Sequence, residues 1–365
     1  MEIDARVEAW ASLQLLPGLT PRALFDLLRA FGGPKEVLAA SQASLKRCVS
    51  SEVAAAIRQR PEAKELERSL QWLALPDHWL IAWGDADYPE SLLATADPPP
   101  AFGYVGRREL LNRPALAVVG SRNATPQGIE HAEAFAVALS AAGMTIVSGL
   151  ALGIDAAAHR GGLAGAGSSI AVLGSGLDRI YPPGNRDLAE RLSRTGGLMS
   201  EFPLGTPPLR ANFPRRNRVI SGLSRGVLVV EATLNSGSLI TARLAVEQGR
   251  EVFAIPGSIH SPFSKGSHRL IKDGAKLVET AQDILEELKL FAPPPGALAT
   301  LPEAEEASEG IAGRVLAALG YEAAGVDALR ERTGLSTEAI AAALIELELS
   351  GKIAALPGGA YQRLR

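Results

Sequence analysis

From Ala115 to about Leu290, short apolar runs alternate with amphipathic or alanine-rich ones, and this alternation limits the fold more than any other feature. The apolar runs are Ala115 to Val119, Thr145 to Ser148, Ser169 to Leu173, Leu198 to Ser200, Val227 to Glu231 and Glu251 to Ile255. Gln127 to Ala142, Ile154 to Ala164, Asn185 to Leu192 and Ser238 to Gln248 read as the helices between them. Strands apolar on both faces with helices between them predict an α/β fold built on a parallel, doubly wound sheet. Ligands of such sheets bind beyond the carboxyl ends of the strands, so functional residues are expected in those loops.

The flanks read differently. Residues 1–75 predict a short helix bundle: Pro17 and Gly18 break one helix, Thr20 caps the next with Pro21 in its first turn, and Gly32 and Gly33 stop it. Its Pro-Gly-Leu turn resembles helix-hairpin-helix or sterile-alpha-motif-like modules, but Arg22 is the one cation near it, so a plain interhelical link fits better. His78 to Gly106 reads as an addition to the sheet edge, so the main domain is placed at 76–291. A Pro- and Ala-rich, then acidic, linker at 292–308 leads to a tail at 309–365. Three helices, Ile311 to Leu319, Val326 to Thr333 and Thr337 to Ser350, precede a strand pair that turns at Pro357, Gly358 and Gly359. That order suggests a winged helix-turn-helix module.

A hydrophobic content of 47% over 365 residues is enough for a full α/β core and small flanking domains. With a net charge of −3, any nucleic-acid surface must be a patch. Cys48 is the single cysteine, which leaves no internal disulfide or multi-cysteine metal cluster and points to a reducing compartment. The start MEIDARVEAW lacks the regions of a signal peptide, and no apolar run reaches a membrane span. A soluble cytoplasmic protein is expected.

The first strand runs into VVGSRNATPQG, where Gly120 permits a tight turn, Ser121 offers a hydroxyl and Arg122 places a positive charge at a helix start. SGLALGIDAAAHRGG repeats the idea at the second strand, with Ser148, Gly149 and Gly153; Asp155 and His159, four apart, read as a structural hydrogen-bonded pair. VLGSGLDRIYPPGN follows the third strand, where Asp178 can support Arg179. Asn235, Ser236, Gly237 and Ser238 open another helix. GxGxxG, an acid after the second strand and GxxxxGK[ST] are all missing, so neither a nicotinamide dehydrogenase nor a P-loop hydrolase is expected. Four helix starts at one sheet edge exceed what one mononucleotide needs and fit a run of phosphates.

Between Pro203 and Val230 there is no Asp or Glu, while Arg210, Arg215, Arg216, Arg218 and Arg225 crowd around Phe213. Guanidinium forks suit phosphates and an aromatic offers a stacking platform, the combination a nucleic-acid single strand uses. By themselves these arginines are equally compatible with a solvated helix face or with acids elsewhere in the fold.

GSR (Gly120 to Arg122), SGLALGIDAAAH (Ser148 to His159), VLGSGLDRIYPPGN, SEFPLGTPP (Ser200 to Pro208), FPRRNRVISGLS (Phe213 to Ser224), EATLNSGSLITA and AIPGS (Ala254 to Ser258) stand in order along the chain. Together they resemble the DNA processing protein A family, DprA, also called Smf. The resemblance implies an extended Rossmann-like domain that binds single-stranded DNA without sequence preference. It also implies a role in natural transformation: protecting incoming strands as a homodimer and helping load the RecA recombinase past single-stranded-DNA-binding protein. No catalysis, cofactor or metal is implied. Carried over by motif, Ser121, Arg122, Ser148, Gly149, Phe213, Arg215, Arg216, Asn217 and Arg218 would form the strand-binding pocket, with Phe213 against a base; Gly120, Asn235, Ser236 and Gly237, from the loops and helix starts, and the cation Lys265 are expected to join them. The stretch from about Glu251 to Lys276 would contribute a dimer or recombinase surface.

Two positions depart from the family pattern: Leu152 stands where an Arg is usual, and His268 where an Asn is usual, with Lys265 and Arg269 nearby to compensate by charge. The tail's third helix carries Glu338, Glu346 and Glu348 and no cation before Lys352, which suits protein contact or a structural role better than reading duplex DNA. The alternative function is a Rossmann-like nucleotide phosphoribohydrolase using Glu231, although the sequence after Glu231 lacks that group's glycine-rich loop. A two-metal nuclease would need clustered carboxylates, which the arginine interval lacks.

Overall fold

A computed structural model of the protein describes residues 4–290, 310–321, 323–356 and 358–364; the expected linker at 292–308 lies outside them. Nine strands form one sheet: β1 (His78–Ala82), β2 (Ala101–Gly106), β3 (Ala115–Val119), β4 (Thr145–Ser148), β5 (Ser169–Val172), β6 (Gly197–Ser200), β7 (Gly226–Val229), β8 (Glu251–Ala254) and β9 (Lys276–Leu277). Their order is β1-β2-β6-β5-β4-β3-β7-β8-β9. From β6 to β9 every pairing is parallel, whereas β2 runs antiparallel to both β6 and β1. The sheet is thus α/β and doubly wound, and β1 and β2 form the edge addition read from His78 to Gly106.

Each face buries its own core. Leu116 and Val118 of β3 point to one side, where Phe135, Leu139, Ile146 and Phe253 are also buried. Ala117 and Val119 point to the other, with Val147, Val219, Ile220 and Ala242. Helix Pro126–Ala141 starts as its sequence dictates, with Thr125 accepting the Gly128 amide and Pro126 in the first turn. It packs closely on helix Ile154–Ala164 because Gly161 has no side chain: a Cβ there would lie 2.3 Å from the Glu133 carbonyl oxygen.

Helices from Ala5 to Leu73 form the N-terminal bundle, and its core extends onto Ala82 of β1 and Ala101 of β2. The C-terminal module has helices Ile311–Leu319, Val326–Thr333 and Thr337–Leu349 with strands β10 (Ala324–Gly325), β11 (Ile353–Leu356) and β12 (Ala360–Arg363), in the order β10-β12-β11. Gly358 and Gly359 take positive φ in the turn between β11 and β12. This is the expected winged-helix arrangement with a third short strand added. Gln362 Nε2 donates to Gln127 Oε1 at 3.0 Å, tying β12 to the helix that follows β3.

Candidate nucleic-acid interface

The strand order reverses at β3, with β4 on one side and β7 on the other. At their carboxyl ends opens a cavity of about 450 Å3, walled by the loop after β3, the start of helix Asn212–Leu223 and the loop after β7. A doubly wound sheet forms its binding crevice at such a reversal. Gly120, Ser121, Arg122, Phe213, Arg216, Asn217, Ser236 and Gly237 all line it, so eight of the residues expected from sequence converge.

Arg216 is the cavity's fixed charge. It is 4% exposed, and its Nη1 donates to the Val172 carbonyl at 2.7 Å, while its buried Nε has no partner. Burial pulls the guanidinium down to about 10; Asp155 opposes that shift and Arg122 adds to it. At neutral pH the group therefore stays protonated, a buried cation with donor capacity to spare. Arg122 is exposed at the rim, its Cζ 5.4 Å from the Phe213 ring centre, with Arg216 Cζ at 5.9 Å from the same ring. Phe213 is half-buried, stands near Tyr181 at 6.1 Å between ring centres, and packs on Gly174, where a Cβ would lie 2.9 Å from its Cδ1.

Two helix starts border the cavity, those of Asn212–Leu223 and Ser238–Glu247. At the second, Ser236, Gly237 and Ser238 line the space, and Ser236 Oγ accepts the Ser238 amide at 3.3 Å. The first two of the four expected anion-receptive starts are filled by the protein's own carboxylates. Asp155 Oδ2 accepts the Gly149 and Ala151 amides at 3.1 and 3.3 Å, and Glu231 accepts the Thr125 amide and hydroxyl at 2.9 and 2.6 Å. At the third start, helix Arg186–Thr195 after β5, Asn185 Nδ2 donates to the Leu150 and Ala151 carbonyls, and it forms no cap bond.

Asp155 and His159 are not bonded to each other, contrary to the expected pair. His159 Nε2 accepts the Leu150 amide at 3.2 Å, so the two side chains hold three successive amides, 149 to 151, from one helix. Ser169 donates its hydroxyl to the Ile146 carbonyl, so His159 Nδ1 is the donor to Ser169 Oγ and the ring is neutral. Burial, with Arg216 adding repulsion, pulls His159 down to about 3.

Six expected residues stand outside the cavity lining. Ser148 is fully buried within the sheet and donates to the Val118 carbonyl at 2.7 Å, so its side chain is structural. Gly149 is buried too, and its role is to leave room: a Cβ there would lie 1.8 Å from Arg216 Nη1. Arg218 turns to the other side of its helix and pairs with Glu201 and Asp97, its side chain 13% exposed. Arg215 is exposed but lies over Phe202, at 5.5 Å from the ring centre. Asn235 is exposed beyond the rim, and Lys265 donates to the Ile259 carbonyl. Arg225, grouped with the cluster in sequence, precedes β7 and sits at the opposite end of the sheet.

The model of the family described as DNA recombination-mediator protein A matches residues 79–289, more than half of the sequence. The chain belongs to the DNA processing protein A family. A second model, the DprA winged helix domain, matches residues 299–359. The chain is 50% identical over 312 residues to Protein Smf of Escherichia coli, covering 83% of this chain and 82% of that one. It is similar to the X-ray structure of DprA from Streptococcus pneumoniae, with a TM-score of 0.68 and 38% identity, covering 79% of this chain and 99% of that one. It is also similar to Helicobacter pylori DNA processing protein A, whose structure is titled for its single-stranded DNA binding mode, with a TM-score of 0.54 and 29% identity. That match covers 59% of this chain and 97% of that one.

At the two departures from the family pattern, the structure shows what each residue does. Leu152 is 49% exposed and follows Ala151 of the cavity wall, an apolar surface in place of a cation. His268 Nε2 donates to the Gly257 carbonyl at 2.9 Å, which fixes helix Lys265–Lys272 to the loop after β8. Sequence reasoning missed Thr233, Ile240, Thr241 and Phe263 on the cavity wall and Asp155 facing Arg216. The helical period from Ser238 carried a signal for Thr241, four residues past Gly237; Phe263 comes from a loop with none. Glu231, the residue an enzymatic reading relies on, has both carboxylate oxygens held by Thr125 and does not line the cavity.

Proposed function

We propose that this chain binds single-stranded DNA without sequence preference and acts by binding, without catalysis. Arg216 carries the proposal: a buried guanidinium with an unpartnered Nε, in a cavity whose wall adds Arg122, a half-buried aromatic and the start of helix Ser238–Glu247. Phosphates would sit against Arg122, Arg216 and the amides at Gly237, and a base against Phe213. Specific duplex reading would need side chains reaching base edges from a groove-sized element, and a concave cavity of this size takes unpaired nucleotides.

From family membership we further propose that the protein protects incoming strands and helps load RecA past single-stranded-DNA-binding protein, in the cytoplasm, as a homodimer. Ile259 is 67% exposed and Leu277, on the edge strand β9, 45% exposed, so the stretch after Glu251 offers apolar surface for a partner. Helix Thr337–Leu349 exposes Ile345 and Leu349 beside its glutamates, which supports protein contact for the winged helix. No helix among the described residues is long and apolar enough to cross a membrane.

The test is fluorescence anisotropy of a labelled homopolymer single strand against its matched duplex. Tighter binding of the single strand is expected. Equal affinity for the two would overturn the assignment, and turnover of small nucleotides would move it to the phosphoribohydrolase alternative.

A further inference from the structure

Cations continue along the same sheet edge beyond the cavity. Arg215 and Arg216 are neighbours on one helix and point about 100° apart, so one enters the cavity and the other turns toward Phe202. Phe202 follows β6, and the residues after it help wall a second recess of about 440 Å3. Arg179, from the loop after β5, and Glu65 and Arg68, from helix Ala63–Leu73 of the N-terminal bundle, line the same recess.

The charges there are arranged with the acid covered. Arg68 pairs with Asp178 Oδ2, and Arg179 Nε lies 4.0 Å from that same oxygen. Asp178 Oδ1 accepts the Gly205 amide at 2.8 Å. The Arg68 and Arg179 side chains are 55% and 59% exposed while Asp178 is 19% exposed, so two guanidiniums face solvent over one shielded carboxylate. Each guanidinium has five N–H donors, and a single shared acceptor leaves most of them for a ligand. Glu65 is the one other carboxylate lining the recess and opposes them in part.

We propose that a single strand held in the cavity runs on over the Arg215–Phe202 pair into this recess, where Arg68 and Arg179 take its phosphates. The N-terminal helical bundle thereby supplies a cation to strand binding. This rests on the function proposed for the cavity.

The full chain is titrated with labelled oligothymidylates of about five and about twenty nucleotides, spanning the range of single-strand site sizes. In the double variant Arg68→Ala, Arg179→Ala, the longer strand should lose about tenfold in affinity. Its log-log salt slope should become shallower by about 1.4, for two phosphates. The short strand should bind as before. Long-strand affinity and slope equal to the parent's would overturn the extended path, whereas failure of the parent to bind either length would overturn the cavity assignment itself. Arg68 also ties the bundle to the Asp178 loop, so two measurements stand apart from that tie. Arg179→Ala alone should shift the slope by about 0.7. Photo-cross-linking from 4-thiothymidine in the long strand should mark helix Ala63–Leu73 as well as helix Asn212–Leu223; marks on the second helix alone would contradict the path.

Discussion

Gly149 and Arg216 are fitted to each other: a single Cβ on Gly149 would stand 1.8 Å from Arg216 Nη1 and 2.5 Å from its Cζ. The guanidinium lies against Gly149, just past the end of β4, and is held there by the Val172 carbonyl at the end of β5. A glycine here gives a long cation a fully buried seat between two strand ends.

Gly149→Ala is therefore expected to displace Arg216 and to weaken single-strand binding on the order of tenfold, as Arg216→Ala does, through loss of a charge-assisted contact of about 1.5 kcal/mol. Anisotropy titration of both variants checks this. Binding within twofold of the parent for Gly149→Ala would show that Arg216 is not held where the structure puts it.

Arg122→Ala and Arg218→Ala should separate binding from stability. Arg122 is exposed at the cavity rim, so its loss should weaken binding and leave urea unfolding within about 0.5 kcal/mol of the parent. Arg218→Ala leaves the Glu201 carboxylate, 8% exposed, without its partner. That should cost about 3–5 kcal/mol in stability with little effect on the salt dependence of binding. The reverse pattern would return Arg218 to the strand-binding set.

Glu231→Ala should act on the fold. Both its oxygens serve Thr125, which caps helix Pro126–Ala141, so removing them should cost about 1–3 kcal/mol by urea unfolding. Nucleotide turnover present in the parent and lost in this variant would contradict that structural role.

The pH dependence follows from His159, held at about 3 in the folded chain against an ordinary 6.5. Because the folded pKa is depressed, the unfolded chain binds the proton first. The stability this neutral ring contributes is complete above about pH 6.5 and is lost as pH falls toward 3, at up to about 1.4 kcal/mol per pH unit. Asp155 and Glu231, raised by burial, act in the opposite sense, so the comparison is with His159→Gln. The two stability curves should converge as pH falls from 6.5, and parallel curves would mean that His159 is not buried neutral.

Much of this was legible in the sequence. β3 and β4 lie where the apolar runs place them, and β5 to β8 differ by a residue or two at their ends, because burial on both faces leaves a continuous apolar signature. Eight cavity residues were recognisable because glycine turns, helix starts and arginines cluster locally and because the family resemblance joined them, Asn217 through the resemblance alone. What was not legible depends on direction and on distant partners. Arg216 and Arg218 are two apart and leave opposite sides of one helix, one toward Val172 and the other toward Glu201 and Asp97. Glu201 falls just outside the acid-free interval and Asp97 lies 121 residues from Arg218, so the sequence joins cations that the fold separates. Ser148 was misleading for a similar reason, since a serine closing a strand can serve the next strand as readily as a ligand.

The central claim is that Arg122 and Arg216 meet the same strand in one cavity. Its most direct test is the salt dependence of single-strand binding for the parent, each single variant to Ala and the double variant. Each single loss should make the log-log slope shallower by about 0.7, and the double loss by about 1.4. Unchanged slopes in both single variants would contradict the account and place the strand elsewhere on the molecule.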